Sequence, residues 1–175
     1  PLFLAASHCH HEVARVLLES GAALELPTSK GHTPLFGAVL KGDANMARLL
    51  VDAGASCNVT ADITTGPDRF TRRRAVVRCP VLHAAVRQNK TEVVAVLLEG
   101  RAEVDLQDAT GDTALGLAAL NHDVDSVRLL VDFGARPTLV NNMGRTPLQL
   151  AEVHAYPSMG VFNELGSQLG GATWV

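Results

Sequence analysis

The chain has 175 residues, 47% hydrophobic and 19% charged, a balance that excludes general disorder. A net charge of −3 argues against whole-surface attraction to nucleic acid, and three cysteines, Cys9, Cys57 and Cys79, build no disulfide framework. No run of 18 or more apolar residues and no signal peptide is visible, so no membrane span is expected, and the odd cysteine count points to a reducing setting, cytoplasm or nucleus. Aromatic residues make up only 4%, leaving Leu, Val and Ala to build the core. The chain opens at Pro1 without an initiator Met, inside a repeated phrase, and reads as a fragment.

That phrase recurs five times: Pro1-Leu2-Phe3-Leu4-Ala5-Ala6, Thr33-Pro34-Leu35-Phe36-Gly37-Ala38, Val81-Leu82-His83-Ala84-Ala85, Thr113-Ala114-Leu115-Gly116-Leu117-Ala118 and Thr146-Pro147-Leu148-Gln149-Leu150-Ala151. The leucines that open it, Leu2, Leu35, Leu82, Leu115 and Leu148, are spaced by 33, 47, 33 and 33 residues. A fixed period of this length predicts an array of one supersecondary unit. The expected units are about 1–30, 31–78 (with an inserted finger loop at about 59–78), 79–110, 111–143 and 144–175, all in one domain. Pro1 starts a first helix with no finger before it, so exposed apolar surface and self-association are expected at that end.

The second unit shows the grammar. Thr33 caps a helix predicted over Pro34–Leu40, with Pro34 at the first position where no N–H is needed. Lys41-Gly42-Asp43 turns the chain into a second helix over Asn45–Ala53. Gly54 ends that helix in the left-handed position, and Ala55 to Thr60 leaves as an extended finger. Neither helix is long enough to hold alone, so each must bury its face against neighbouring units. Leu17, Leu49, Leu50, Leu97, Leu129 and Leu130 are expected in that shared core. Asp52 and Asp132 read as solvated helix-end residues.

The combination of a Thr-Pro-Leu-type first helix, a Val-Val-x-Leu-Leu second helix (Val93-Val94-Ala95-Val96-Leu97-Leu98), and then Gly21-Ala22, Gly54-Ala55 or Gly134-Ala135 resembles the ankyrin repeat over nearly the whole chain. The resemblance implies an all-α ankyrin-repeat solenoid of about five helix-turn-helix units with β-hairpin or extended fingers. It also implies a protein-binding role without catalysis. Three departures stand out. The His of the family phrase survives only as His83. Arg101 occupies the place of a capping glycine, so either the helix ends early at Gly100 or Arg101 takes a strained cap. The last unit decays after Ala151, with its second helix delayed to about Gly160–Leu169.

The irregular step exceeds the pitch by 14 residues, inserted between Asn58 and Val81. Five arginines, Arg69, Arg72, Arg73, Arg74 and Arg78, fall within ten residues there. Planar guanidinium groups suit carboxylates or phosphates, so the loop reads as a basic recognition element, or else as arginines bracing neighbouring fingers. As a recognition loop its deletion from Asp62 to Thr71 is expected to leave stability nearly unchanged. Pro67-Asp68-Arg69-Phe70-Thr71-Arg72-Arg73, followed by Val76-Val77-Arg78-Cys79-Pro80, is similar to a long finger in some ankyrin-repeat and SOCS-box proteins. Those proteins are substrate receptors of cullin-type ubiquitin ligases. That resemblance implies elongin B/C and cullin as partners only if a SOCS box lies beyond the fragment.

Elsewhere chemistry is sparse. His8-Cys9-His10-His11 cannot converge on one tetrahedral ion and reads as an exposed turn. No catalytic constellation stands out, and no cofactor or metal is expected. Asn58 resembles an asparagine hydroxylated in some ankyrin repeats, although Ser56-Cys57 replaces the usual Asp-Val. The leading function is binding of a target protein on the finger and first-helix face, through Ser29, Lys30, His32, Leu40, Lys41, Arg87, Gln88, Asp108, Asp112, Leu120, Asn121, Asn142, Arg145 and His154, together with Arg69, Arg72, Arg73 and Arg74. Alternatives are a regulatory domain of a larger signalling enzyme or channel, and anionic-ligand (nucleic acid or phospholipid) binding through the arginines, which net acidity opposes.

Overall fold

A computed structural model describes residues 1–67 and 74–153. Along them run α1 (Leu2–Ser7), α2 (His11–Glu19), α3 (Pro34–Lys41), α4 (Ala44–Asp52), β1 (Thr60–Pro67), β2 (Arg74–Pro80), α5 (Val81–Arg87), α6 (Thr91–Glu99), α7 (Ala114–Leu120), α8 (Val124–Asp132) and α9 (Pro147–Val153). The odd-numbered helices stack in one layer, α1 on α3, α3 on α5, α5 on α7 and α7 on α9. The second layer runs α4 on α6 and α6 on α8. The result is a helix-pair solenoid whose units share one continuous core.

The local causes repeat with the sequence. Thr33 and Thr113 lie outside their helices in extended backbone, and each hydroxyl accepts the amide N–H of N3, Phe36 and Gly116 respectively. Asp43 and Asp123 do the same for α4 and α8, accepting from Met46 and Ser126. The turn between paired helices needs a left-handed residue, supplied by Cys9, Gly42, Asn89 and His122 in successive units. A second left-handed position follows each second helix, at Gly21, Gly54, Arg101 and Gly134. Arg101 therefore takes the strained cap, at φ 63°, and does not escape it by shortening the helix. Gly100 beside it is fixed by space: a Cβ there would lie 2.6 Å from the Cys57 sulfur and 2.8 Å from Val51 Cγ1.

Three expectations change. First, Leu50, Leu97 and Leu130 are fully buried, but Leu17, Leu49 and Leu129 are only half-buried. Adjacent helix positions differ by about 100°, so Leu50 points into the core while Leu49 packs against its edge. Second, α3 starts at Pro34 as expected and runs one residue further, to Lys41, and α4 lies one residue earlier, at Ala44–Asp52. Third, the insertion, whose described part is an antiparallel hairpin as expected of a finger, is tied into the fold, with Ala61 opposite Cys79 and Ile63 opposite Val77. Ala61 and Cys79 are 2% and 1% exposed, and Asp62 bonds to the preceding finger. Deleting Asp62 to Thr71 removes a paired strand, so a loss of stability is now expected in place of no change.

A side-chain ladder crosses the finger bases. Glu25 accepts the amide of Ser56 at 2.7 Å, Asn58 that of Glu103 at 2.8 Å, and Asp105 that of Arg136 at 2.9 Å. Acceptors and donors occupy equivalent positions in successive units. At the first end of the stack Leu4, Val13, Val16 and Leu26 are 52–63% exposed. Met46 and Val93, the counterparts of Val13, are 0–1% exposed.

Candidate functional site

The hairpin roofs a groove along the first-helix layer. Its floor and walls are Leu40 of α3, Ala84, Arg87 and Gln88 at the end of α5, Leu117, Leu120 and Asn121 at the end of α7, and Ile63 and Thr64 of β1, enclosing about 370 Å³. Leu117 is buried, whereas Leu40, Ile63 and Leu120 are half-buried, so an apolar stripe remains open to solvent between polar ends. The helix phase explains this. Leu40 and Leu120 sit at equivalent positions at the C-terminal ends of α3 and α7, past the last residue that the neighbouring unit covers.

Polar groups rim the stripe. Arg87 donates from Nη2 to Asp108 Oδ2 at 2.9 Å, and Asn121 donates from Nδ2 to the Val86 carbonyl at 3.3 Å. Asp108 is not an open acidic group: its side chain is 7% exposed. Its Oδ1 accepts from the Thr110 and Asp112 amides and from the Thr110 hydroxyl, closing the fingertip turn. Burial works to raise the Asp108 pKa, but the Thr110 hydroxyl and amide, with the nearby His83 and Arg87, hold it below the ordinary carboxylate value. Asp112 is likewise engaged: Oδ1 accepts from Asn141 Nδ2, and Oδ2 lies 2.8 Å from the Thr110 hydroxyl, whose one proton it shares with Asp108 Oδ1. Charge reversal at Asp108 thus breaks the finger itself, because the turn is built on its carboxylate.

The structure gathers Leu40, Arg87, Gln88, Leu120 and Asn121 in the groove. Ser29, Lys30 and Lys41 are exposed on the finger and helix end before it, and Asn142 and Arg145 are exposed on the finger after it. Asn142 donates from its side chain to the Ala109 carbonyl at 3.2 Å. His32 is half-buried, its ring stacked on Phe36 at 5.1 Å and its Nε2 2.7 Å from the Asp62 carbonyl oxygen, which carries the base of the hairpin. Arg74 opens β2. Arg69, Arg72, Arg73 and His154 lie outside the described residues, as does the expected Gly160–Leu169 helix. Ile63, Thr64, Ala84 and Leu117 were not singled out from the sequence; the alternation along β1 and the helix phase carry the only signal for them.

His83 is buried, with Nε2 2.9 Å from the Asp112 carbonyl oxygen. A carbonyl only accepts, so Nε2 carries a proton in either charge state, and burial favours the neutral ring. Burial pushes its pKa below the ordinary imidazole value, against the raising effects of the Asp112 hydrogen bond and of Asp108. The stability this neutral ring contributes is present above about pH 6.5 and is lost as pH falls through the lower folded value. We expect the urea midpoint to fall on acidification below that point, with a flatter fall in His83→Phe. The thiols of Cys57 and Cys79 are buried; burial raises both, Cys79 to about 11. His8, Cys9 and His10 are exposed, and Nε2 of His11 lies 2.8 Å from Asp43 Oδ2.

Helix pairs at a pitch of 33 residues, two left-handed turns per unit and a groove between fingers and first helices define a repeat solenoid of the protein-interaction class. The profile of ankyrin repeats (three copies) matches residues 1–61 and 82–159, and the chain belongs to the ankyrin-repeat family. It is 31% identical over 140 residues to an ankyrin repeat protein, FPV022, of Fowlpox virus (strain NVSL), covering 80% of this chain and 21% of the viral one. It is 31% identical over 150 residues to neurogenic locus notch homolog protein 1 of Xenopus tropicalis, covering 86% of this chain and 5% of that protein. Against the E3 ubiquitin-protein ligase XBAT32 of Arabidopsis thaliana, identity is 27% over 164 residues, covering 86% of this chain and 32% of the ligase. The chain thus spans a minor part of each relative. No helix among the described residues is long and apolar enough to cross a membrane.

Proposed function

We propose that this chain is a binding module for a target protein, held in the groove between the hairpin and the ends of α3, α5 and α7. The observation that carries this reading is the half-open apolar stripe of Leu40, Ile63 and Leu120 beside Arg87, Gln88 and Asn121. An apolar centre with a polar rim is how specific interfaces exclude water and fix orientation. Solvated residues on either side, among them Lys30, Lys41 and Arg145, widen the contact beyond the groove.

The test uses the target captured by the wild-type chain. A photo-crosslinker at Gln88 is expected to trap it. Leu120→Glu is expected to weaken binding by at least about tenfold, roughly 1.4 kcal/mol, without changing the melting temperature. Unchanged affinity in Leu120→Glu, with crosslinks forming from α4, α6 or α8 instead, refutes the groove. A finer reading makes the module the substrate-recognition part of a ubiquitin ligase. The likeness to an E3 ligase supports it, while the SOCS-box assignment rests on the finger sequence alone. Co-precipitation of elongin B/C with the full-length protein decides that point.

A further inference from the structure

The hairpin has an open edge, and its parity is fixed by the bonds around it. The Asp62 N–H donates outward to the Lys30 carbonyl at 3.0 Å, and Val81 N–H donates to the Val59 carbonyl at 3.0 Å. In an antiparallel pair, bonded and non-bonded pairs alternate. Ala61 with Cys79 and Ile63 with Val77 therefore exchange the ladder bonds, while Asp62 with Arg78 and Thr64 with Val76 turn their backbone groups outward. Pro80 also has outward parity, which is why a residue without an N–H is tolerated there.

On the β1 side the outward groups are met at Asp62. On the β2 side they are not: neither Val76 nor Arg78 makes a backbone hydrogen bond to another described residue outside the hairpin. The contrast with the other fingers is direct. The Lys30 carbonyl accepts from Asp62, and the equivalent Thr110 carbonyl accepts from Asn142 at 3.1 Å. Ala109 is the counterpart of Asp62 and Asn142, yet no such bond joins it to β2 among the described residues. The residue that repeat counting places opposite, Val77, has been drawn into the hairpin ladder. The insertion thus breaks the row of finger-to-finger bonds at this seam. The exposed edge carries Val76, 67% exposed, and Arg78. Arg78 donates from Nε to the Thr60 hydroxyl at 2.9 Å and has no carboxylate within ion-pair distance among the described residues.

We propose that the outer edge of β2, at Val76 and Arg78, binds an extended segment of a partner protein as a third strand, with an acidic side chain set against Arg78. This rests on the reading of the chain as a protein-binding module and names a second surface, distinct from the groove. Exposed strand edges offer directional donors and acceptors that an extended chain satisfies in register, and alternate side chains supply the choice of sequence. Arginine suits a carboxylate through its planar fork of donors.

Random linear peptides displayed on phage and selected on the whole chain provide the probe. Selected peptides are expected to be acidic and to slow amide hydrogen exchange at both Val76 and Arg78 by at least about tenfold. Val76→Pro removes only an outward N–H, so it is expected to keep the melting temperature and lose binding by at least about tenfold; Leu120→Glu is expected to keep binding. Should Val76→Pro unfold, the exchange measurement on the wild-type chain still decides. Peptides lost in Leu120→Glu but kept in Val76→Pro overturn the edge proposal and leave the groove standing. Peptides that leave exchange at Val76 and Arg78 unchanged, or no enrichment at all, also overturn it.

Discussion

Leu97→Ala is expected to lower the free energy of unfolding by about 2–5 kcal/mol, the range for a buried leucine whose cavity the surroundings fill only in part. Leu97 is 0% exposed and lies on α6, which packs between α4 and α8. With packed units on both sides of the shared core, the space can close only in part. For a chain of this size each kcal/mol lowers the melting temperature by about 2–4 °C. Leu129→Ala, at a half-buried position, is the internal comparison and is expected to cost clearly less. Equal urea midpoints for the two variants, or a Leu97→Ala midpoint equal to wild type, contradict this assignment of the core.

Phe36→Ala is expected to cost about 3–5 kcal/mol, as for a large aromatic removed from a closed core. Phe36 is 0% exposed and heads the largest fully buried side chains. Its effect extends beyond the cavity. The ring stacks on His32 at 5.1 Å, and His32 holds the Asp62 carbonyl at the root of the hairpin. Removing it loosens the roof of the groove as well as the floor beneath it. Amide exchange is therefore expected to quicken at Asp62 and Ile63 more than at Val127 and Leu130, two units away. Uniform quickening along the chain contradicts that coupling.

The pitch of the repeated phrase made the helix pairs and their order legible, because each unit has the same caps and turns. Thr33 and Gly54 announce their roles through local chemistry that needs no tertiary information. Less legible was which of two adjacent leucines is fully enclosed, as with Leu49 and Leu50, since that depends on helix phase against a neighbour. The role of Asp108 was hidden as well. It resembles a solvated fingertip acid until Arg87, 21 residues earlier, and the Thr110 hydroxyl are brought to it. The groove was half legible: Leu40 and Leu120 follow from helix register, whereas Ile63 depends on an insertion that has no counterpart in the other units. The hairpin edge was not legible, because strand parity is set by bonds to Lys30 and Val59 and not by composition.

The ladder of Glu25, Asn58 and Asp105 has a consequence for how the molecule comes apart. Each rung joins a side chain of one unit to the main chain of the next, so it exists only while both are folded. When a unit frays, its neighbour is left with an amide that has lost its acceptor and a face that has lost its cover. The penalty of opening is then passed across the boundary, and unfolding in the interior of the stack is cooperative over adjacent pairs. The rung tolerates Glu, Asn or Asp because it asks only for an oxygen within reach. The same linkage can therefore persist through the stack while the side chains that supply it differ from one unit to the next.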